Sequence, residues 1–375
     1  MNLENRIRKF FLLPVILLAL SPIILTGGLV DGEMDKPVKN RDFAIEKPNT
    51  VKAIYLTANT IASANLPNII QQLIDSGGNA VVMDIEISGG RLSFPPKNEY
   101  LKSINEGSRL LDNLTEIVNY LHHKGIYTIA RQVVFNDPYT AARKPEWRIA
   151  YKGGGLFDAN WLDPSKAGVQ YYNLMIMKEV AEFGFDEIQF DYIRFPASNH
   201  GVLDYHYDEA KFNRWDVINE YLKKARIIAD EYDIKMGVDV FGATIWGNVD
   251  WKDVGQSIPD IAKIVDVIYP MTYPSHVSPG YYGFNNPYGA PYPFVHDSIA
   301  EFMLAANGQA EIRPYIQGFP LRIPNFGEWF VAEQIQAALD AGATGYAIWS
   351  PGNNYNASWS SMPLEPALEA AVIQE

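Results

Sequence analysis

The sequence predicts a single-domain (β/α)8 TIM barrel behind an N-terminal targeting segment. Three observations predict it. Eight short runs rich in β-branched and aromatic residues recur between Val51 and Ser350, helical stretches lie between them, and several of those stretches stop at glycine just before the next run. Runs that are apolar at almost every position suit parallel strands buried on both faces. Eight alternating strand and helix units in one chain close into a barrel. An open doubly wound sheet is the rival. It usually carries a glycine-rich phosphate turn after its first strand, and Leu56-Thr57-Ala58-Asn59-Thr60 is not one.

The strands are VKAIYLT (51–57), NAVVMDIE (79–86), IYTIARQVV (126–134), EIQFDYI (187–193), KMGVDVFG (235–242), DVIYPMTY (266–273), IRPYIQGF (312–319) and GYAIWS (345–350). Helical spacing of apolar residues marks Pro67–Ser76, Arg109–Lys124, Gly168–Phe183, Glu209–Tyr232, Trp251–Val265, Val295–Ala306 and Glu328–Ala341, with a last helix over Leu364–Ile373. Gly77-Gly78, Gly125, Gly184 and Gly342 are the helix stops. The long βα loops 134–165, 194–208 and 274–294 enlarge one mouth of the barrel, the C-terminal face where such barrels build their chemistry.

Ahead of the barrel, Arg6, Arg8 and Lys9 precede an uncharged apolar run from Phe10 to about Val30. That pattern reads as a signal-anchor or a signal peptide, with the remainder of the chain exported. Residues 31–50 are polar and interrupted by proline, which suits a tether, so the barrel domain is 51–375. The net charge of −13 excludes a basic nucleic-acid-binding surface. The absence of cysteine removes disulfides, thiolate metal sites and cysteine nucleophiles. Eight Trp, 22 Tyr and 18 Phe suit either a surface that stacks on sugar rings or a tyrosine-rich core.

In a barrel, function rests on the residues that end the strands. Here these include Asp84 and Glu86 on strand 2, Arg131 on strand 3, Gln189, Asp191 and Arg194 on strand 4, and Asp239 on strand 5. Tyr273 ends strand 6, Gln317 strand 7 and Trp349 strand 8. A carboxylate inside an apolar strand costs several kcal/mol unless paired or solvated. Asp191 and Asp239 both interrupt such strands, on neighbours. Two carboxylates at one mouth are what glycoside hydrolysis requires, one protonated and one ionised. The alternative is that they are salt-bridged layer residues, Asp191 to Arg194 or Arg131. Gln189, Arg194 and Tyr273 would tune the carboxylates, and Asp84 and Glu86 would bind sugar hydroxyls.

The loop PSHVSPGYYGFNNPYGAPYPF holds Tyr281 and Tyr282 among proline and glycine, either as a sugar platform or as packing for the loop. Asp163 in WLDPS reads as a structural cap. Six histidines without HxH or HExxH spacing argue against a metal site, and no cofactor is expected.

GFDEIQFDYIRFP (184–196) resembles the strand-4 signature of glycoside-hydrolase barrels. With WLDPSKAGVQYYNLMIMKEV (161–180), GVDVFG (237–242), DVIYPMTYPSHVSPG (266–280) and GYAIWSPGNNY (345–355), the chain resembles a bacterial glycosyl hydrolase domain family of unknown function over about residues 50–360. The resemblance implies a TIM barrel acting on a polysaccharide. The alpha-amylase-like barrels put a nucleophilic Asp and an acid/base at the places of Asp191 and Asp239, although their acid/base is usually Glu. Chitinase-like family 18 barrels match FDEIQFDYI and Met271-Thr272-Tyr273 only in part, because Ile193 stands at their catalytic Glu and Pro274 at their Asp. The cellulase-type arrangement fails at Gln317-Gly318-Phe319. The expectation is an exported glycoside hydrolase. A polysaccharide-binding barrel without catalysis at the cell envelope is the alternative, and a metal-dependent deacetylase is disfavoured for want of His ligands.

Overall fold

The computed structural model describes residues 45–362, except 88, 159, 198, 199, 248 and 249. The apolar run Phe10–Val30, the first part of the tether and the Leu364–Ile373 helix lie outside the described residues. No helix among the described residues is long and apolar enough to cross a membrane.

Eight parallel strands close into a barrel. They are β1 (Val51–Leu56), β2 (Ala80–Asp84), β3 (Tyr127–Val133), β4 (Glu187–Asp191), β5 (Lys235–Phe241), β6 (Val267–Met271), β7 and β8 (Gly345–Trp349). β7 is broken at Pro314 into Glu311–Ile312, which pairs with the start of β6, and Tyr315–Gln317, which pairs with β8 and reaches Met271. All eight predicted strands are present, each ending one or two residues early, and β7 starts one residue early at Glu311. The outer ring is α1 (Leu66–Asp75), α2 (Leu114–His123), α3 (Ala167–Ala181), α4 (Arg214–Tyr232), α5 (Ile258–Ile261), α6 (Pro291–Ala306) and α7 (Glu328–Asp340).

Four helices depart from expectation: α2 starts at Leu114 instead of Arg109, α6 at Pro291 instead of Val295, and two more differ for local reasons. The predicted Trp251–Val265 helix is two single turns, Trp251–Val254 and α5. Gly255 turns the chain left-handed at φ 78°, and Pro259 starts a new helix because it has no N–H to continue the old one. α4 begins at Arg214 instead of Glu209, because Asn213 and Asp216 form a reciprocal capping box that fixes its first turn.

The strands separate two cores. Outward-facing residues such as Ile54, Val81, Ile188 and Ile348 pack under the helices, whereas Ala53, Val82, Ile129, Tyr269 and Ala347 fill the barrel. The strand registers accumulate the shear of about eight residues that closes a TIM barrel, so alternate strands contribute to common layers. One layer holds Tyr55, Arg131, Asp239 and Tyr315 from the odd strands. Directly above it, nearer the mouth, Asp84, Asp191, Met271 and Trp349 come from the even strands.

Lower in the barrel a fully buried ion pair replaces hydrocarbon. Arg313 Nη1 donates to Glu187 at 2.8 Å, and the Tyr269 and Tyr127 hydroxyls donate to the same carboxylate at 2.6 and 3.2 Å. Gly237 makes room for this cluster. A Cβ there would lie 2.8 Å from both Glu187 Oε1 and the Tyr269 ring. Arg313 also binds Glu311, which pairs with Lys47. Residues 45–50, the end of the expected tether, therefore rest against the barrel, with Ile45 packed on the interior cluster.

Removing one partner of a buried pair leaves the other uncompensated. Arg313→Met is expected to destabilise the domain by about 3 kcal/mol, and Arg313→Met with Glu187→Gln by clearly less. Denaturant midpoints of the three proteins measure the difference.

Candidate active site

The C-terminal mouth is centred on Arg131. Its Nη2 and Nε donate to Asp191 Oδ2 at 2.5 and 3.2 Å, and its Nη1 donates to Asp84 Oδ1 at 2.6 Å. The Tyr55 hydroxyl closes the other side of Asp84. The guanidinium lies 5.1 Å from the Trp349 ring centre, and Trp349 stacks on Tyr55 with centroids 3.9 Å apart. Two carboxylates and two aromatic faces thus hold one cation, which keeps its proton even more firmly than a free arginine.

Asp191 ends β4 and is 6% exposed. Its free carboxylate oxygen, Oδ1, accepts from the backbone N–H of Tyr192 at 2.6 Å. Tyr192 sits at φ 52°, a left-handed conformation that costs a non-glycine residue about 1 kcal/mol or more. The sharp turn sends the chain out of the barrel directly after the carboxylate.

Asp239 is different in kind. It is 1% exposed, and neither carboxylate oxygen has a hydrogen-bond partner. Burial, then the neighbouring Asp191 charge, pushes its pKa well above the usual carboxylate range. Its surroundings therefore favour the neutral acid, one layer beneath the arginine-bound Asp191.

A cavity of about 420 Å³ opens above this pair. Asp191, Arg131 and Arg194 supply its charges, and Phe241, Trp246, Tyr273, Phe294, Tyr315 and Trp349 supply most of its walls. Size and composition fit a pre-formed site for a small polar ring compound. Asp239 does not line it. Arg131, Tyr192 and Trp349 also border a second cleft of about 370 Å³ that contains Asp84 and Glu86. Glu86 is a mostly buried carboxyl at the edge of this cleft, and burial and then Asp137 drive its pKa well upward. Asp137 itself, raised to about 6 by burial, caps the Pro138–Arg143 helix through Thr140 N–H at 2.9 Å. Among the described residues no group of three or more His, Asp or Glu is arranged to hold a metal ion.

The structure gathers Asp191, Arg131, Arg194, Tyr273 and Trp349 around one cavity and puts Asp84 and Glu86 in the adjoining cleft. It places four expected substrate contacts elsewhere. Gln189 is buried below the mouth, accepting from the Tyr315 hydroxyl at 2.7 Å. Gln317 braces loops, accepting from Ser275 N–H at 3.0 Å and donating to the Phe319 carbonyl at 3.0 Å. Tyr281 and Tyr282 do not line the cavity. Tyr282 stacks on Trp246 with ring centres 5.4 Å apart, and Tyr281, 48% exposed, packs edge-on to Tyr282. Asp163 is structural: it holds Ser165 and the backbone and ring of His206. Residues missed in the sequence are Tyr55, Phe241, Trp246 and Tyr315. Inward strand parity would have found Tyr55, Phe241 and Tyr315, each two positions from a residue already singled out or from a strand end. Trp246 lies in the short loop after β5, and only its place at the mouth gives it meaning.

Residues 53–355 match the family described as "Putative glycosyl hydrolase domain". The chain belongs to this family. No curated protein matches the sequence of this glycosyl hydrolase domain. Among solved structures, a hypothetical protein from Ruminiclostridium thermocellum is 30% identical, covering 50% of this chain and 97% of its own at a TM-score of 0.45. The PgaB (BpsB) glycoside hydrolase domain from Bordetella bronchiseptica is 14% identical, with 84% of this chain and 100% of that one covered at a TM-score of 0.64. The catalytic domain of beta-amylase from Paenibacillus polymyxa is 9% identical, covering 84% and 95% at 0.54. These last two likenesses establish the barrel fold.

The raised pKa of Asp239 has a stability consequence. Its folded pKa lies above the unfolded value, so the folded state binds the extra proton between the two. Wild-type stability should fall, from this group, as pH rises above about 4. Asp239→Asn carries no such proton, so its stability relative to wild type should improve as pH rises from 4 toward 8. Denaturation at matched pH values tests this; a pH-independent difference would contradict the assignment.

Proposed function

We propose that this chain is a glycoside hydrolase that cleaves a polysaccharide or oligosaccharide. Asp191 acts as the ionised nucleophile or base, and Asp239 as the proton-bearing partner. The carrying observation is the opposite environment of two adjacent carboxyls: one bound by a guanidinium at the cavity, the other buried below it without a hydrogen-bond partner. Such a division is what acid-plus-carboxylate cleavage of a glycosidic bond requires. The aromatic walls give sugar rings apolar faces to stack on, and family membership supports the same reading. Tyr273 lines the cavity, and its hydroxyl is near enough to Asp239 to feel that group electrostatically.

A general acid contributes about 10²–10⁴-fold to rate. Asp191→Asn is expected to abolish release of reducing ends at least to that extent. Asp239→Asn is expected to lose about as much on a polysaccharide but far less on an aryl glycoside whose leaving group needs no proton. Full activity in either variant on the polysaccharide overturns that residue's role.

One observation favours a second reading. Both Asp239 oxygens are closed to solvent, as in a structural layer residue. A barrel that binds polysaccharide without cutting it would show saturable binding and no new ends in the same assay. We further propose that the domain works outside the cytoplasm, because Arg6, Arg8 and Lys9 precede the apolar Phe10–Val30 run.

A further inference from the structure

Of the two arginines in the cavity, only Arg131 has its counter-ions. Arg194 is 7% exposed and lines the same cavity. Its Nη1 donates to the Phe195 carbonyl at 2.9 Å, and its guanidinium lies 4.0 Å from the Phe241 ring centre and 4.8 Å from that of Trp161. No Asp or Glu among the described residues lies within ion-pair distance of it; Asp191, already bound by Arg131, acts on it only at longer range. Its other nitrogens are neither bonded nor sealed off, so they keep contact with the cavity. Burial lowers its pKa to about 10, which leaves it charged at neutral pH.

A buried cation without a contacting counter-ion is costly, and the cost is recovered when an anion arrives. The guanidinium fork matches carboxylate and sulfate oxygens, and the rings that clamp it fix its direction. A neutral glycan would leave this charge uncompensated when its ring displaced water from the cavity.

We propose that Arg194 is an anion-recognition residue and that the substrate is an acidic glycan, carrying a carboxylate or sulfate on the sugar that occupies this cavity. This rests on the hydrolase reading for cleavage, but not for binding. The second cleft, with Asp84 and Glu86, would receive the neighbouring sugar through its hydroxyls.

The test uses the full chain and two readouts, equilibrium binding and release of reducing ends. The probes are polygalacturonate, alginate and hyaluronan, each beside its carboxyl-reduced form, with carrageenan beside its desulfated form and chitosan as a cationic chain. At least one acidic polymer is expected to bind, and its neutralised form to bind 100-fold or more weakly. Loss on carboxyl reduction identifies a carboxylate, and loss on desulfation identifies a sulfate. Arg194→Gln should weaken the acidic polymer by a similar factor and leave the neutralised form within about threefold, with Arg194→Lys intermediate because it keeps charge without the fork. Binding with this pattern but no release of ends upholds the anion site and refutes the hydrolase reading. Cleavage of neutral or cationic chains as well as acidic ones refutes the anion site and leaves the hydrolase reading standing. The wild-type comparison decides the matter even if an Arg194 variant misfolds.

Discussion

The shared guanidinium of Arg131 is the interaction on which the mouth of this barrel depends. It joins β2, β3 and β4 through Asp84 and Asp191, and it lies beside the stacked Trp349 and Tyr55 rings from β8 and β1. Two carboxylates around one buried cation would repel one another without it. With it, each has a fixed position and a fixed partner, and the charge that both need is supplied once. Asp239, one layer below and lacking a partner, is left to solve its burial by keeping its proton. The different states of the two aspartates thus follow from which of them the arginine touches.

Barrel geometry sets that choice. The shear brings residues of alternate strands to one level, so Asp191 shares its level with Asp84, Met271 and Trp349 while Asp239 falls in the level beneath. Lower down, the Glu187–Arg313 pair and the space at Gly237 let charged groups and tyrosines fill what hydrocarbon usually fills. At the top, the left-handed Tyr192 turns the chain outward directly after Asp191, which leaves room for the cavity. Strain at this point and a neutral buried acid below it are costs that packing elsewhere sustains.

Much of this was legible in the sequence, for physical reasons. Parallel strands buried on both faces announce themselves as continuous apolar runs, so all eight were found in order. Asp191 and Asp239 stood out because carboxylates interrupt such runs rarely. Helix starts were less legible: the capping box at Asn213 outweighs the apolar spacing before it, and the Gly255 and Pro259 break is a matter of two residues. The depth of Asp239 could not be read, because it depends on shear summed over all strands. Gln189 and Gln317 looked like ligands for sugar and are partners for Tyr315 and for loop backbone, since an amide serves both purposes equally. The aromatic excess divides between cavity walls, such as Trp246 and Phe241, and barrel filling, such as Tyr127 and Tyr269.

The central claim is that Asp239, buried without a partner one layer below the arginine-bound Asp191, keeps its proton at neutral pH. Difference infrared spectroscopy of wild type against Asp239→Asn reads it directly. A protonated carboxyl C=O band present in wild type at pH 7 and lost in the variant is the expected result. A difference spectrum with no such band, or one showing loss of an ionised carboxylate instead, would contradict the account.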